Sequence, residues 1–173
     1  EGQYLMGTLV AAYIGAQFSI ITPIHILLII IVAVLVSSMW AAIAGYLKVE
    51  KGIHEVISTI MLNYIGTGLI AYSLTTLFDE PNSNYDLPRT AELPETGKMP
   101  SLNKFFNIED LQNLHGFLVV AILVGILYYW LVWKTTLGFD LRITGSNPIA
   151  AKFSGINPKR LIVIAMVVSG AFA

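Results

Sequence analysis

Glu55, Thr59, Asn63 and Thr67 recur every four residues inside an apolar run. On a helix that spacing draws a slowly drifting polar stripe, here climbing from a charged edge into a hydrocarbon layer. Lipid offers such groups no hydrogen-bond partner, so they must face protein or water. The functional reading is the wall of a solute pathway carried by Glu55, Thr59 and Asn63, which Glu1 and Gln3 could join. The plain reading is a set of interhelical hydrogen bonds, with Glu55 resting at the interface. Thr59 and Thr67 fit the plain reading better, and Asn63 fits either. A different option makes Glu55 the acid or base of a membrane-embedded enzyme with Asn63 as an orienting group. It would need a second titratable group at matching depth, which the sequence does not offer.

Other chemistry finds few residues to carry it. His25, His54 and His115 stand apart near the ends of apolar runs, without His-x-x-x-His spacing or paired carboxylates, and read as interface residues. No metal site and no catalytic residue is expected from this chain. It has no cysteine, which excludes disulfides, thiolate metal sites and a thiol nucleophile. The Gly97-Lys98 pair is followed by Met99 and lacks the preceding glycine of a phosphate loop, so no ATP site is expected.

Gly145 to Lys159 reads GSNPIAAKFSGINPK, in which Gly-x-Asn-Pro occurs twice, ten residues apart. Asparagine caps a helix by accepting from a free amide, and proline fits the first helical position because its missing donor would go unused there. The pattern predicts a short helix from Pro148 to Ser154 opened by Asn147, a left-handed stop at Gly155, and a second helix opened by Asn157 and Pro158. A helix of under two turns is not stable alone and must pack on something. It is either a hairpin tucked against its own membrane domain or a docking helix for a cytoplasmic partner. For docking, Ala150 and Ala151 would permit close approach beside Lys152, and Phe153 would offer an anchor. Lys159 and Arg160 sit in the first turn of the following helix, where the dipole disfavours cations by at most about 1 kcal/mol.

The elements that must position these residues are membrane spans. Of 173 residues, 55% are apolar and 12% charged, against about 25% charged in soluble domains, and the mean hydropathy is +0.71. Charged residues gather in two loops and the chain ends. The runs between them reach the roughly 20 residues that cross a bilayer: 4–21, 25–47, 56–78 and 116–133, with 161–173 as a truncated fifth. The fold class expected is all-α, a polytopic transmembrane helix bundle. The chain starts at Glu1 without an initiator methionine and stops inside an apolar run, so it reads as a piece of a longer protein. Links 48–55 and 134–160 together hold seven Lys/Arg, whereas loop 79–113 holds three against seven Asp/Glu. The positive-inside tendency makes the two links cytoplasmic and the acidic loop extracytoplasmic, with Glu1 inside. That loop has four prolines and should be irregular apart from a short interfacial helix near 103–114. Small residues four apart (Gly7, Ala11, Gly15; Ala33, Ser37, Ala41, Gly45; Ala165, Ser169, Ala173) predict close helix contacts.

Glu1-Gly2-Gln3 opening a small-residue helix, EVISTIMLNYI at 55–65 and the stretch from Thr135 to Ala173 together resemble the permease subunit of bacterial ATP-binding-cassette importers. The likeness is to the nucleoside and simple-sugar branch, related to ribose and branched-chain amino acid permeases. It implies one multi-pass domain in the cytoplasmic (inner) membrane, part of which is 1–173. It implies a solute pathway for nucleosides or simple sugars and a coupling segment meeting a separate ATPase subunit through Gly145, Asn147, Pro148, Ala150, Ala151 and Gly155. The implied partners are that cytoplasmic ATP-binding subunit, a second permease subunit (identical or not), an extracytoplasmic solute-binding protein and the lipid bilayer. Nucleic acid is not among them. No cofactor belongs to the chain itself, because ATP would be bound by the partner. A structural helix bundle without transport is the remaining alternative, opposed by the paired helix starts and the polar stripe.

Overall fold

The computed structural model of the protein describes residues 1–77, 90–99 and 116–173. His115, the helix expected at 103–114 and most of the 79–113 loop lie outside them. The described residues are helical, without strands. They form α1 (Gly2–Gln17), α2 (Thr22–Lys51), α3 (Glu55–Tyr72), α4 (Phe117–Lys134), α5 (Thr136–Ser146), α6 (Pro148–Phe153) and α7 (Pro158–Ala171). A π-helical turn, Ser73–Leu77, extends α3, and a 3-10 turn spans Glu95–Gly97. Two compact units result. The first joins Glu1–Lys98 to Ile162–Ala173, and the second is Met99–Leu161.

Among the described residues three helices are long and apolar enough to cross a membrane: Thr22–Lys51, Glu55–Thr76 and Phe117–Lys134. They match three of the four expected full spans. The first expected span, 4–21, becomes a helix of 16 residues that ends at Gln17, where Phe18 turns extended (φ −114°, ψ 139°). Proline near the start of α2 and a left-handed Gly52 (φ 66°) at its end fix that helix over 30 residues. Lys48 and Lys51 in its last turn suit the negative end of the helix dipole.

The first unit packs on small residues. Leu9, Ala11, Ala41 and Ala44 are buried with Gly7, Gly15, Ser37 and Gly45, while Ile24, Leu27, Ile31, Leu35, Met39 and Ile43 line the outside of α2. Lipid is as apolar as leucine, so close backbone approach rather than burial of large side chains joins such helices. A Cβ on Gly7 would collide with the Ser37 hydroxyl, and Ser37 Oγ donates to the Gln3 carbonyl at 3.0 Å. The small-residue rows of α1 and α2 are thus real contacts. The row expected in the last helix is not: Ala165, Ser169 and Ala173 are exposed, and α7 meets α2 through Val163, Met166 and Gly170.

Two further contacts locate α1. Its Gly2 amide donates to Asn63 Oδ1 at 2.7 Å. Glu1 therefore starts α1 level with Asn63, eight residues or about 12 Å along α3 from Glu55. At the other end, His25 is fully buried and not an interface residue. Its Nε2 lies 2.9 Å from the Gly15 carbonyl oxygen and its Nδ1 3.0 Å from Thr96 Oγ1. The imidazole thereby ties segment 90–99 to α1 and α2, with Leu93 and Gly97 filling the space against Gly15 and the ring. His54, exposed at the start of α3, accepts from the Val56 amide and is the edge residue expected.

In the second unit α4 has no buried residue, so all its sides await lipid or other protein. Helix α5 was not expected within the 134–160 link. Thr135 starts it by accepting from the Gly138 amide at 3.1 Å, and Gly138 fits because a Cβ there would strike the Leu131 and Val132 carbonyls. Arg142 lies over the Trp133 ring at 4.4 Å, a cation–π contact fastening α5 to the end of α4.

Candidate functional site

The polar stripe of α3 divides when its partners are seen. Glu55 is held at the helix start by Lys48, 2.9 Å away, with His54 at 3.8 Å. Thr59 donates to the Glu55 and Val56 carbonyls and Thr67 to the Asn63 carbonyl, so both hydroxyls are satisfied within their own helix rather than across helices. Glu55 thus reaches α2 through Lys48, and Asn63 reaches α1 through Gly2.

Thr59 and Asn63 line a cavity of about 250 Å³ in the first unit, together with Glu1, Gln3 and Trp40. Glu55, expected in the same pathway, does not line it. Trp40 is fixed there by two glycines: a Cβ on Gly2 would come within 3.1 Å of its Nε1, and one on Gly66 within 3.5 Å of its ring. Its indole N–H is buried without a hydrogen-bond partner among the described residues. Trp40 is the wall residue that the sequence pattern missed, because an isolated aromatic in an apolar run carries no periodic signal.

In the second unit, α6 is built as the repeated Gly-x-Asn-Pro predicts. Asn147 Oδ1 accepts from the amides of Ile149 and Ala150 at 3.0 and 3.1 Å. Gly155 adopts φ 80°. The Ile156 amide donates to Ala151 O and the Gly155 amide to Lys152 O, closing the helix by the paired bonds of a left-handed stop. Asn157 in turn accepts from the Arg160 amide at 3.4 Å and opens α7. Both ends of a six-residue helix are satisfied by its own neighbours. Asn147→Ala should cost α6 about 1 kcal/mol, seen as faster amide hydrogen exchange across 148–153 with membrane abundance retained; unchanged protection would contradict the cap's role.

The faces of α6 differ from expectation at one position. Ala151 is fully buried and packs inward, where an exposed residue was expected. The outward face is Ile149 at 69% exposure, Ala150, and Phe153 at 88%. Ile149 and Phe153 are four apart and share that face. Beside them runs a groove of about 370 Å³ lined by Phe139, Arg142, Ile143, Ser146, Asn147 and Ala150. Gly145, Pro148 and Gly155 are exposed and do not line it. Ile149 and Phe153 thus project from a doubly capped turn next to this groove.

The family model for the permease component of branched-chain amino acid transport systems matches residues 1–173. The chain is 33% identical over its whole length to the guanosine ABC transporter permease protein NupP of Bacillus subtilis, covering 48% of that protein. It is 29% identical to the nucleoside ABC transporter permease protein NupB of Lactococcus lactis, again over its whole length and 48% of the relative. A third relative, the glucose ABC transporter permease protein TsgB13 of Haloferax volcanii, is 25% identical over the whole chain and 46% of its own length. The chain thus spans about half the length of the curated relatives it matches. No solved structure matches it. A chain whose described residues are helical with several apolar spans, and which matches the family model from end to end, is a multi-pass membrane protein, and it belongs to the family of branched-chain amino acid transport system permease components.

Proposed function

We propose that this chain is part of the membrane-spanning subunit of an ATP-binding-cassette importer for nucleosides or simple sugars. The single observation carrying this reading is α6: a short helix capped at both ends that presents Ile149, Ala150 and Phe153 outward instead of burying them. In a membrane protein lacking a phosphate loop, such an element serves to receive force from a separate ATPase. Gly145, Asn147, Pro148 and Gly155 shape it, while Ile149, Ala150 and Phe153 make the contact. Ala151 is assigned to holding α6 in place. The orientation of the basic links puts α6 on the cytoplasmic side and segment 90–99 outside, where a solute-binding protein would dock. A second permease subunit, identical or not, would complete the passage.

The solute pathway runs along the cavity of Glu1, Gln3, Trp40, Thr59 and Asn63. Glu55 is outside the lining of this cavity and pairs with Lys48, which speaks against a place for it in the pathway or as an intramembrane acid or base. The nature of the solutes follows the nucleoside and glucose permeases among the relatives.

Asn63→Asp provides the test. It keeps the acceptor for the Gly2 amide and removes the amide donors, so full-length protein should stay at wild-type abundance while uptake of labelled guanosine or glucose falls about tenfold, the scale of one hydrogen bond to solute. Undiminished uptake at normal abundance would remove Asn63 from the pathway.

A further inference from the structure

Trp133, Lys134 and Arg142 form a cationic cluster at the end of α4 in the second unit. Helix α4 has 18 residues, none of them buried. At 1.5 Å per residue it is about 27 Å long, close to the roughly 30 Å of a bilayer's hydrocarbon core. Trp133 and Lys134 close its last turn and therefore sit where hydrocarbon gives way to headgroups. The Arg142 guanidinium lies 4.4 Å from the centroid of the Trp133 ring, which brings it to the same level although it belongs to α5.

Arg142 gives its Nε–H to the Gly138 carbonyl at 3.4 Å, and one face of its plane rests on the indole. Its two terminal amino groups are left to make the fork that suits the oxygens of a phosphate. No ion pair among the described residues includes Arg142 or Lys134. The described part of the second unit carries Lys134, Arg142, Lys152, Lys159 and Arg160 against Asp140 as its one acid. Asp140 is two residues from Arg142 and so lies on another side of α5. Towards the bilayer centre, Ile126, Tyr129 and Trp130 stand seven, four and three residues before Trp133 and share its face of α4. All three are exposed. A cationic fork and a second ammonium above a continuous apolar face suit a phosphate that has acyl chains attached. A carboxylate on a protein partner would meet the same cations, but would have no use for the apolar face beneath them.

We propose that Trp133, Lys134 and Arg142 bind the headgroup of an anionic phospholipid, whose acyl chains lie along Ile126, Tyr129 and Trp130. Bound there, the lipid holds α5 at the membrane surface and sets the level of α6, which follows α5 after the single residue Asn147. The site requires only that α4 spans the membrane, so it stands apart from the reading of α6 as a docking helix.

Native mass spectrometry of the full-length protein in detergent, titrated with phosphatidylglycerol or phosphatidylcholine, tests the site. Wild-type protein should bind phosphatidylglycerol about tenfold more tightly than phosphatidylcholine; Arg142→Gln should weaken phosphatidylglycerol about tenfold, the scale of a charge-assisted bond, and Lys134→Gln about fivefold, the scale of one surface cation. Phosphatidylcholine should stay within about twofold in both variants, since the loss is one of charge recognition. Lys152→Gln removes the same charge from α6 and should leave phosphatidylglycerol within about twofold; an equal loss there would mean a diffuse field and no site. Equal affinity of the wild type for the two lipids would overturn the proposal, as would displacement of phosphatidylglycerol by inorganic phosphate at the same concentration, which would assign the cluster to a free anion. Unchanged phosphatidylglycerol binding in Arg142→Gln, with lower recovery of the ATPase subunit, would give Arg142 to a protein carboxylate instead. Amide exchange across 136–146 shows whether α5 survives Arg142→Gln. Where it does not, Lys134→Gln decides, because Lys134 is exposed at the end of α4.

Discussion

Phe153→Asp in the full-length protein is expected to weaken association with the ATPase subunit by about thirty-fold or more, and to abolish solute-stimulated ATP hydrolysis, at unchanged abundance in the membrane. Phe153 is 88% exposed, so its loss removes almost nothing from the chain's own packing. A buried apolar anchor at a partner interface is worth about 2 kcal/mol or more, which sets the thirty-fold scale. The neighbouring substitution should behave oppositely. Ala151 is completely buried, so Ala151→Leu overpacks the seat of α6 at about 1–3 kcal/mol and should lower abundance first. Co-purification of the ATPase subunit, normalised to permease level, separates the two. Equal behaviour of the two variants would mean that the outward face of α6 is not a contact.

Gly170→Leu should be the most damaging change in the first unit. Already a Cβ at this position would stand 2.6 Å from the Ser37 carbonyl oxygen, 2.7 Å from Ala41 Cβ and 2.9 Å from Ser38 Cα. Two of those neighbours belong to the backbone of α2 and cannot swing away, so α7 must separate from α2. The expected result is loss of at least about 3 kcal/mol of helix association, the upper range for overpacking, read as degradation or failure to purify as a folded assembly. Gly68→Leu is the matched control, since nothing lies within 4 Å of a Cβ there. Similar abundance of both variants would show that α7 does not approach α2 as described.

The parts of this fold that were legible in the sequence are those written in local chemistry. Asn147-Pro148, Gly155 and Asn157-Pro158 specify their caps through bonds to residues two to five positions away, and each formed where expected. The apolar runs that became α2, α3 and α4 announce themselves by length alone. What escaped depends on contacts distant in sequence. His25 is buried because Thr96 lies across from it, 71 residues on. The level at which α1 begins is set by Gly2 meeting Asn63, 61 residues away.

Other misses have physical reasons of their own. The run TLGFDLRITGS carries too many polar residues and glycines to show a helical period, yet Thr135 caps it and Arg142 fastens it to Trp133. In the last helix, smallness marked Ala165 and Ser169, but the face turned to α2 carries Met166 and Gly170. Smallness permits close approach without saying which side makes it. Six residues of α6 are too few to reveal which alanine points inward, so Ala150 and Ala151 looked alike until their exposure was seen. Glu55 fitted the polar stripe by spacing, and its Lys48 ion pair and its place outside the cavity distinguish it from Asn63.

Photocrosslinking from α6 tests the central claim most directly, because it asks which side of that helix meets another protein. With a photoreactive residue placed in turn at 149, 151 and 153 of the full-length protein, in membranes containing the ATPase subunit, positions 149 and 153 should yield a covalent adduct with that subunit and position 151 should yield none. Adducts from 151, or none from 149 and 153 in an assembly that hydrolyses ATP on addition of solute, would contradict the account.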